Sequence, residues 1–159
     1  SLTVIGRAKP GGPSAKLIER LGLADHIQFV TGVPDQTIVE LYAESELAVV
    51  PSLYEGFSLP AIEAMGSGTP LVASDGGALP EVVGPDGETA MVVPPGDSDA
   101  LAAKIAFALD NPDIASAIGL AGRQRVIDNW SWRHTADKTV EQYRLRLADW
   151  EAEQAQKGR

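Results

Sequence analysis

Five short apolar runs alternate with stretches of helical spacing, and this alternation is the strongest constraint on what the chain can fold into. The runs are Leu2–Ile5, Ile27–Val30, Leu47–Val50, Pro70–Ala73 and Thr89–Val93. Between them, Leu17, Ile18 and Leu21, and then Ile38, Leu41 and Tyr42, recur at helical steps. Punctuation agrees with this division. Pro13 suits a first helical position after the Gly11-Gly12 turn, Gly22 can close that helix, and Asp35 is expected to cap the next. A short helix opens near Leu59, and Leu79–Val83 reads as one helical turn. Strands joined by helical crossovers must run parallel. The expected fold class is therefore α/β, a Rossmann-like parallel sheet with helices on both faces.

Beyond Pro94-Pro95-Gly96-Asp97 the chain reads as helix alone. Ser98 or Asp99 is expected to start a helix with Leu101, Ile105 and Leu109 on one face, and Asn111-Pro112 to end it. A second helix is expected from Asp113 to Asp128, with Ile114, Ile118 and Ala121 inward. Ser131 is expected to cap a third, in which Trp132, Ala136, Val140, Tyr143, Leu147 and Trp150 form a stripe. The polar tail after Glu151 is expected to fray. With no internal repeat and no low-complexity linker, residues 1–159 read as one domain, of which 131–159 are a C-terminal helix and tail.

Composition narrows the function classes. The chain's 159 residues suffice for one sizeable core. Thirteen basic against 22 acidic residues give a net charge of −9, which argues against nonspecific nucleic-acid binding while leaving a local nucleotide site open. Without cysteine there is neither a disulfide framework nor thiol chemistry. No apolar run approaches the ~20 residues that span a bilayer, and no signal peptide is visible. A cytoplasmic location is expected.

In an open parallel sheet, ligands bind outside the carboxyl ends of the strands. The loops there are Gly6–Gly12, Thr31–Val33, Ser52–Ser58, Ser74–Ala78 and Pro94–Asp97. The third leads into the densest chemical signal, Tyr54 to Ser74. Glu55 lies in the loop and Glu63 on the following helix, with seven residues between. The amides of Gly56, Phe57 and Ser58 are expected at that helix's start, where unpaired N–H groups and partial positive charge suit a phosphate or a sugar hydroxyl. Two carboxylates, which only accept hydrogen bonds, can grip hydroxyls on either side.

The run Glu55-Gly56-Phe57-Ser58-Leu59-Pro60-Ala61-Ile62-Glu63 resembles the donor-sugar motif of the family-four retaining glycosyltransferases, with Ala64-Met65 and Gly68–Ala73 continuing the likeness. The resemblance extends from Leu2 to about Tyr143 and includes Asn129-Trp130-Ser131-Trp132. It implies the second, nucleotide-sugar-binding domain of a GT-B fold. It also implies that this domain's first strand and helix are absent, so that the Leu2 and Leu47 strands pair directly or a strand is borrowed in a swapped dimer. As the resemblance has it, Glu55 meets the transferred sugar's hydroxyls, and the amides of Gly56, Phe57, Ser58 and Leu59 lie near the sugar and diphosphate. Glu63 holds the ribose, Thr31-Gly32-Val33 meets the base through its backbone, and Asp75-Gly76-Gly77 lies near the donor. Ser58 stands where the family usually has glycine. Gly6 and Arg7, with Lys9, are further candidates for phosphate.

The resemblance implies a nucleotide-diphosphate sugar as donor, an acceptor bound by a missing N-terminal domain, no tightly bound metal or other cofactor, and a parent peripheral at the inner membrane face. The chain alone is then inactive. A noncatalytic nucleotide- or phosphosugar-binding module, or a nucleotide-sugar epimerase of the same fold, stays open as an alternative. His26 and His134 lack a paired carboxylate at catalytic spacing, no metal-ligand cluster is visible, and no Walker-type loop or GxGxxG occurs. A receiver-like signalling domain is disfavoured because no acidic cluster closes the first strand.

Overall fold

A computed structural model describes residues 1–157 and resolves them into two compact units, Ser1–Ile38 and Val39 onward. The first holds β1 (Leu2–Ile5), α1 (Pro13–Leu21) and β2 (Ile27–Val30). β1 and β2 are parallel, with Leu2 opposite Ile27 and Ile5 opposite Val30. Gly22 ends α1 in the left-handed region, φ 66°, which a residue without Cβ enters at no steric cost. Its amide bonds the Glu19 carbonyl, and the Leu23 amide bonds that of Ile18. No residue of this unit is fully buried. So short a stretch cannot enclose a core by itself.

α2 (Asp35–Glu44) runs into the second unit, which continues with β3 (Ala48–Val50), α3 (Leu59–Gly66), β4 (Leu71–Ser74), α4 (Leu79–Val83) and β5 (Met91–Val93). Then come α5 (Ser98–Asp110), α6 (Pro112–Asn129) and α7 (Trp132–Lys157). The parallel order is β3-β4-β5. Central β4 is buried along its whole length, since helices cover both of its faces. Its side chains alternate between two clusters. Leu71 and Ala73 join Met65, Leu79, Val82 and Val83, and Val72 joins Met91, Val93, Ala115 and Ile118. α6 serves both clusters, the second through Ala115 and Ile118 and the first through Val126.

The backbone of α6 lies unusually close to the strand entries. A Cβ on Gly119 would stand 2.5 Å from the Gly68 carbonyl oxygen, and one on Gly122 2.6 Å from that of Thr89. The loop before β5 is fixed by Asp86, which accepts from the Val92 amide at 2.7 Å and pairs with Lys104 at 3.0 Å. Burial raises the Asp86 pKa, but those donors outweigh it and leave the carboxyl below its ordinary range.

The expected α/β class and element order hold, with several local corrections. Asp35 is the first helical residue of α2 rather than its cap, and the Pro34 carbonyl accepts from Thr37 and Ile38. α5 starts at Ser98 as expected, and Asp97 caps it by accepting from the amides of Asp99 and Ala100. Ile114 and Leu109 are about half exposed. Ile118 faces inward as expected, but beside it stand Ala115, Gly119 and Gly122, because the α6 backbone comes too close to Gly68 and Thr89 for a side chain at the two glycines. Ser131 does cap α7, accepting from the His134 amide at 3.1 Å. α7 stays helical to Lys157 instead of fraying, since Glu151–Lys157 is built of strong helix formers. The last two residues of the expected tail lie outside the described residues. The expected pairing of the Leu2 and Leu47 strands does not form: the described strands make a two-stranded and a three-stranded sheet.

The tight α6 contact sets a stability test. Gly122→Ala should cost about 1–3 kcal/mol by overpacking, seen as a Tm lowered by several degrees in thermal unfolding followed by circular dichroism. An unchanged Tm would show that α6 can withdraw from Thr89 without loss.

Candidate functional site

β3 and β4 end side by side, so the loops that leave them meet. The Glu55 amide donates to the Gly76 carbonyl at 3.4 Å, and the Ala78 amide donates to the Glu55 carbonyl at 2.8 Å. Together they make a parallel bridge between Glu55 and Gly77. Two glycines allow this approach. Gly77 has φ 68°, and a Cβ there would lie 2.3 Å from the Glu55 carbonyl oxygen. A Cβ on Gly76 would lie 2.5 Å from that of Leu53. The Glu55 side chain is half-buried, and its Oε1 accepts from the Ser52 hydroxyl at 2.8 Å. The buried Ser74 hydroxyl in turn donates to the Ser52 carbonyl.

α3 begins three residues further on. Buried Ser58 is its N-cap, its hydroxyl accepting from the Ala61 amide at 3.4 Å. Pro60, in the first turn, carries no N–H. Among the described residues, the amides of Gly56, Phe57, Ser58 and Leu59 donate to no acceptor in the chain. They sit at the positive end of α3, directly after the Glu55 carboxylate. The start of α5 is different, because the Asp97 carboxylate already occupies its amides. Phe57 is steadied by Trp130, whose ring it meets edge-on with centroids 5.5 Å apart.

Glu63 lies exposed on α3, one turn after Ser58 and Leu59. Its charge reaches Tyr42: burial raises the phenol pKa above its ordinary value, and Glu63 raises it further. Thr69 ties the entry of β4 to the same place, donating to the Tyr42 carbonyl at 2.7 Å.

The second unit thus brings together Glu55, the amides of Gly56, Phe57, Ser58 and Leu59, and the Gly76-Gly77 backbone. Ser58 also contributes a cap. Asp75 is exposed, and its amide is taken by the Val93 carbonyl at 3.0 Å. In the first unit, Arg7 Nε donates to Thr31 Oγ1 at 3.2 Å, so the ends of β1 and β2 are linked. Gly6 donates to the Val30 carbonyl, Gly32 takes φ 67°, and Val33 is half-buried. Sequence reading alone passes over Ser52, Ser74 and Tyr42. A serine three residues before a motif glutamate was the available signal for Ser52. No three His, Asp or Glu side chains gather as a metal-binding group among the described residues. No helix among them is long and apolar enough to cross a membrane.

Comparison with known proteins bears on this geometry. The profile of a family described as "Glycosyl transferases group 1" matches residues 1–125. The chain is 48% identical over 147 residues to MMP alpha-(1->4)-mannosyltransferase of Mycolicibacterium hassiacum, covering 92% of the chain and 36% of that protein. It is 39% identical over 133 residues to O-antigen chain mannosyltransferase B of Escherichia coli, covering 82% and 33%. The chain therefore spans about a third of these relatives' length. Among solved structures, sucrose-phosphate synthase from Thermosynechococcus elongatus superposes with a TM-score of 0.81 at 34% identity, covering 92% of this chain and 38% of that one. A mutant of S. aureus TarM, solved in complex with fondaparinux, alpha-GlcNAc-glycerol and UDP, gives 0.75 at 26% identity, covering 87% and 28%.

The influence of the Glu63 charge on Tyr42 sets a titration test. Glu63→Gln removes the negative charge that disfavours tyrosinate, so the Tyr42 pKa should fall but stay above its ordinary value, burial being the larger cause. Spectrophotometric titration against a Tyr42→Phe control measures this. No fall would place the Glu63 carboxylate away from the phenol.

Proposed function

The chain belongs to the glycosyl transferases group 1 family, and from that membership and the Glu55 geometry we propose that it is the nucleotide-sugar donor-binding domain of a retaining glycosyltransferase. The observation that carries the reading is a carboxylate with one oxygen anchored by Ser52, set beside four unengaged amides at the mouth of α3. In this reading the transferred sugar's hydroxyls donate to the remaining acceptor sites of Glu55. The sugar and diphosphate accept from the amides of Gly56, Phe57, Ser58 and Leu59, the diphosphate lying at the positive end of α3. Glu63 accepts from the ribose hydroxyls, the backbone of Thr31-Gly32-Val33 meets the base, and Arg7 near Gly6 adds positive charge toward phosphate.

The reaction breaks the bond between the sugar's C1 and the diphosphate, and the electron pair stays on the diphosphate. An acceptor hydroxyl oxygen bonds to C1 on the same face and passes its proton to an oxygen of the departing diphosphate. Preorganised donors aimed at the leaving diphosphate stabilise the charge that develops there. The reading calls for no tightly bound metal. Glu55 orients the sugar and faces the positive charge growing at C1; it is not assigned as a covalent nucleophile.

The whole protein in this reading is longer than the chain, which spans about a third of its relatives' length. One feature supports a domain completed from elsewhere: the first unit has no fully buried residue. In this reading a further strand and helix pack against that unit. A further N-terminal domain would bind the acceptor and cover part of α7, where Trp132 is 90% and Tyr143 68% exposed.

Two substitutions in the full-length protein test the roles. Glu55→Ala should lower turnover about 100-fold, the scale of one lost preorganised contact. Near-normal turnover removes Glu55 from the site. Glu63→Ala should weaken nucleoside diphosphate binding measured by calorimetry, and unchanged affinity removes the ribose role. A panel including GDP-mannose and UDP-glucose, screened by thermal shift, tests the donor class itself: stabilisation by none of them opposes the proposal.

A further inference from the structure

We propose that Ser52 is a positioning residue for Glu55, fixing one carboxylate oxygen so that the other faces the donor sugar; this rests on the donor-binding reading above. A free glutamate side chain has three rotatable bonds and swings widely in a loop. Here Oε1 accepts from Ser52 Oγ at 2.8 Å in a half-buried setting, which leaves Oε2 and the rest of the lone pairs for hydroxyls. Ser52 is itself held. Its carbonyl accepts from the Ser74 hydroxyl, and Ser74 is almost wholly buried at the end of β4. Gly76 packs against the same short segment, where an added Cβ would lie 3.1 Å from the Ser52 carbonyl oxygen and 2.5 Å from that of Leu53.

The order of fixation thus runs from core to carboxylate. β4 is rigid because it is buried on both faces, Ser74 projects from its end, Ser52 is pinned by Ser74, and Glu55 is oriented by Ser52. Each step is short, and neither of the two hydrogen bonds involves α3 or Glu63. The pathway therefore separates the orientation of the sugar from the binding of the nucleotide. Losing a hydrogen bond to a charged group while keeping the backbone clamp should make Glu55 less ordered without moving the loop that carries it.

The experiment is a double-mutant cycle in the full-length protein, with Ser52→Ala, Glu55→Gln and the double variant. Kinetics are measured with a donor that the wild type turns over, and nucleoside diphosphate affinity by calorimetry. Ser52→Ala should lower kcat about tenfold, the scale of one hydrogen bond to a charged group, with nucleoside diphosphate affinity kept. Ser52→Thr, which keeps the hydroxyl, should restore most of the rate. In the Glu55→Gln background Ser52→Ala should cost less than in the wild type, because the neutral amide oxygen accepts from the serine hydroxyl more weakly than the carboxylate does. Wild-type kcat in Ser52→Ala, full additivity with Glu55→Gln, or loss of nucleotide affinity alongside kcat would each overturn the proposal. Absence of turnover with every donor in the wild type would instead strike the donor-binding reading, so the two failures stay distinct.

Discussion

The close approach of two backbones, Leu53–Glu55 against Gly76–Gly77, is the constraint on which the site depends. Neither loop could take its course alone. Adjacent parallel strands deliver both loops to one edge, but ordinary side chains would hold them apart. With glycine at 76 and 77, the Glu55 amide and carbonyl complete a bridge that continues the sheet by one step beyond its strands. The loop that carries Glu55 is thereby given some of the rigidity of a strand. This suits the role proposed for its carboxylate, since misplacement of about 1 Å can cost about 100-fold in rate.

The mouth of α3 follows from the same arrangement. The chain leaves the bridge at Glu55, passes three residues and enters the helix through the buried cap of Ser58. That cap takes the amide of Ala61 and leaves those of Gly56, Phe57, Ser58 and Leu59 open. Asp97 makes the contrast plain: it places a full negative charge on the start of α5, which repels the anion that the start of α3 would attract. Two helices that begin at the same edge of one sheet thus differ in ligand chemistry through a single capping residue.

Much of this was legible in the sequence, and what was not has physical causes. Apolar runs located all five strands, and the Glu55–Glu63 spacing located α3 and its loop. The inward face of α6 is legible at Ile118 but not at Ile114, because periodicity favours large residues. Ile114 looked like core, yet contact through Gly119 and Gly122 turns Ala115 and Ile118 inward and leaves Ile114 half exposed. Close packing by small residues leaves almost no hydropathy signal. Ser52 and Ser74 were passed over for a related reason. Their contact joins residues 22 apart through a hydroxyl and a carbonyl, and nothing in local spacing reports it. The stripe on α7 was legible as a pattern, but its periodicity does not say what covers it.

The division of the chain into two units carries the argument one step further. All fully buried side chains lie in the second unit, which also holds Glu55, Glu63 and the open amides. The elements proposed to grip the sugar, diphosphate and ribose therefore stand on a core that this stretch encloses by itself. The Thr31–Val33 loop proposed for the base stands on a layer without one. Contacts on an enclosed core are preorganised, whereas a loop on a layer with no buried side chain must draw its order from what packs against it. The proposed recognition of sugar and ribose is in this way built into residues 39–129. The proposed recognition of the base would depend on whatever else packs against the β1–β2 layer.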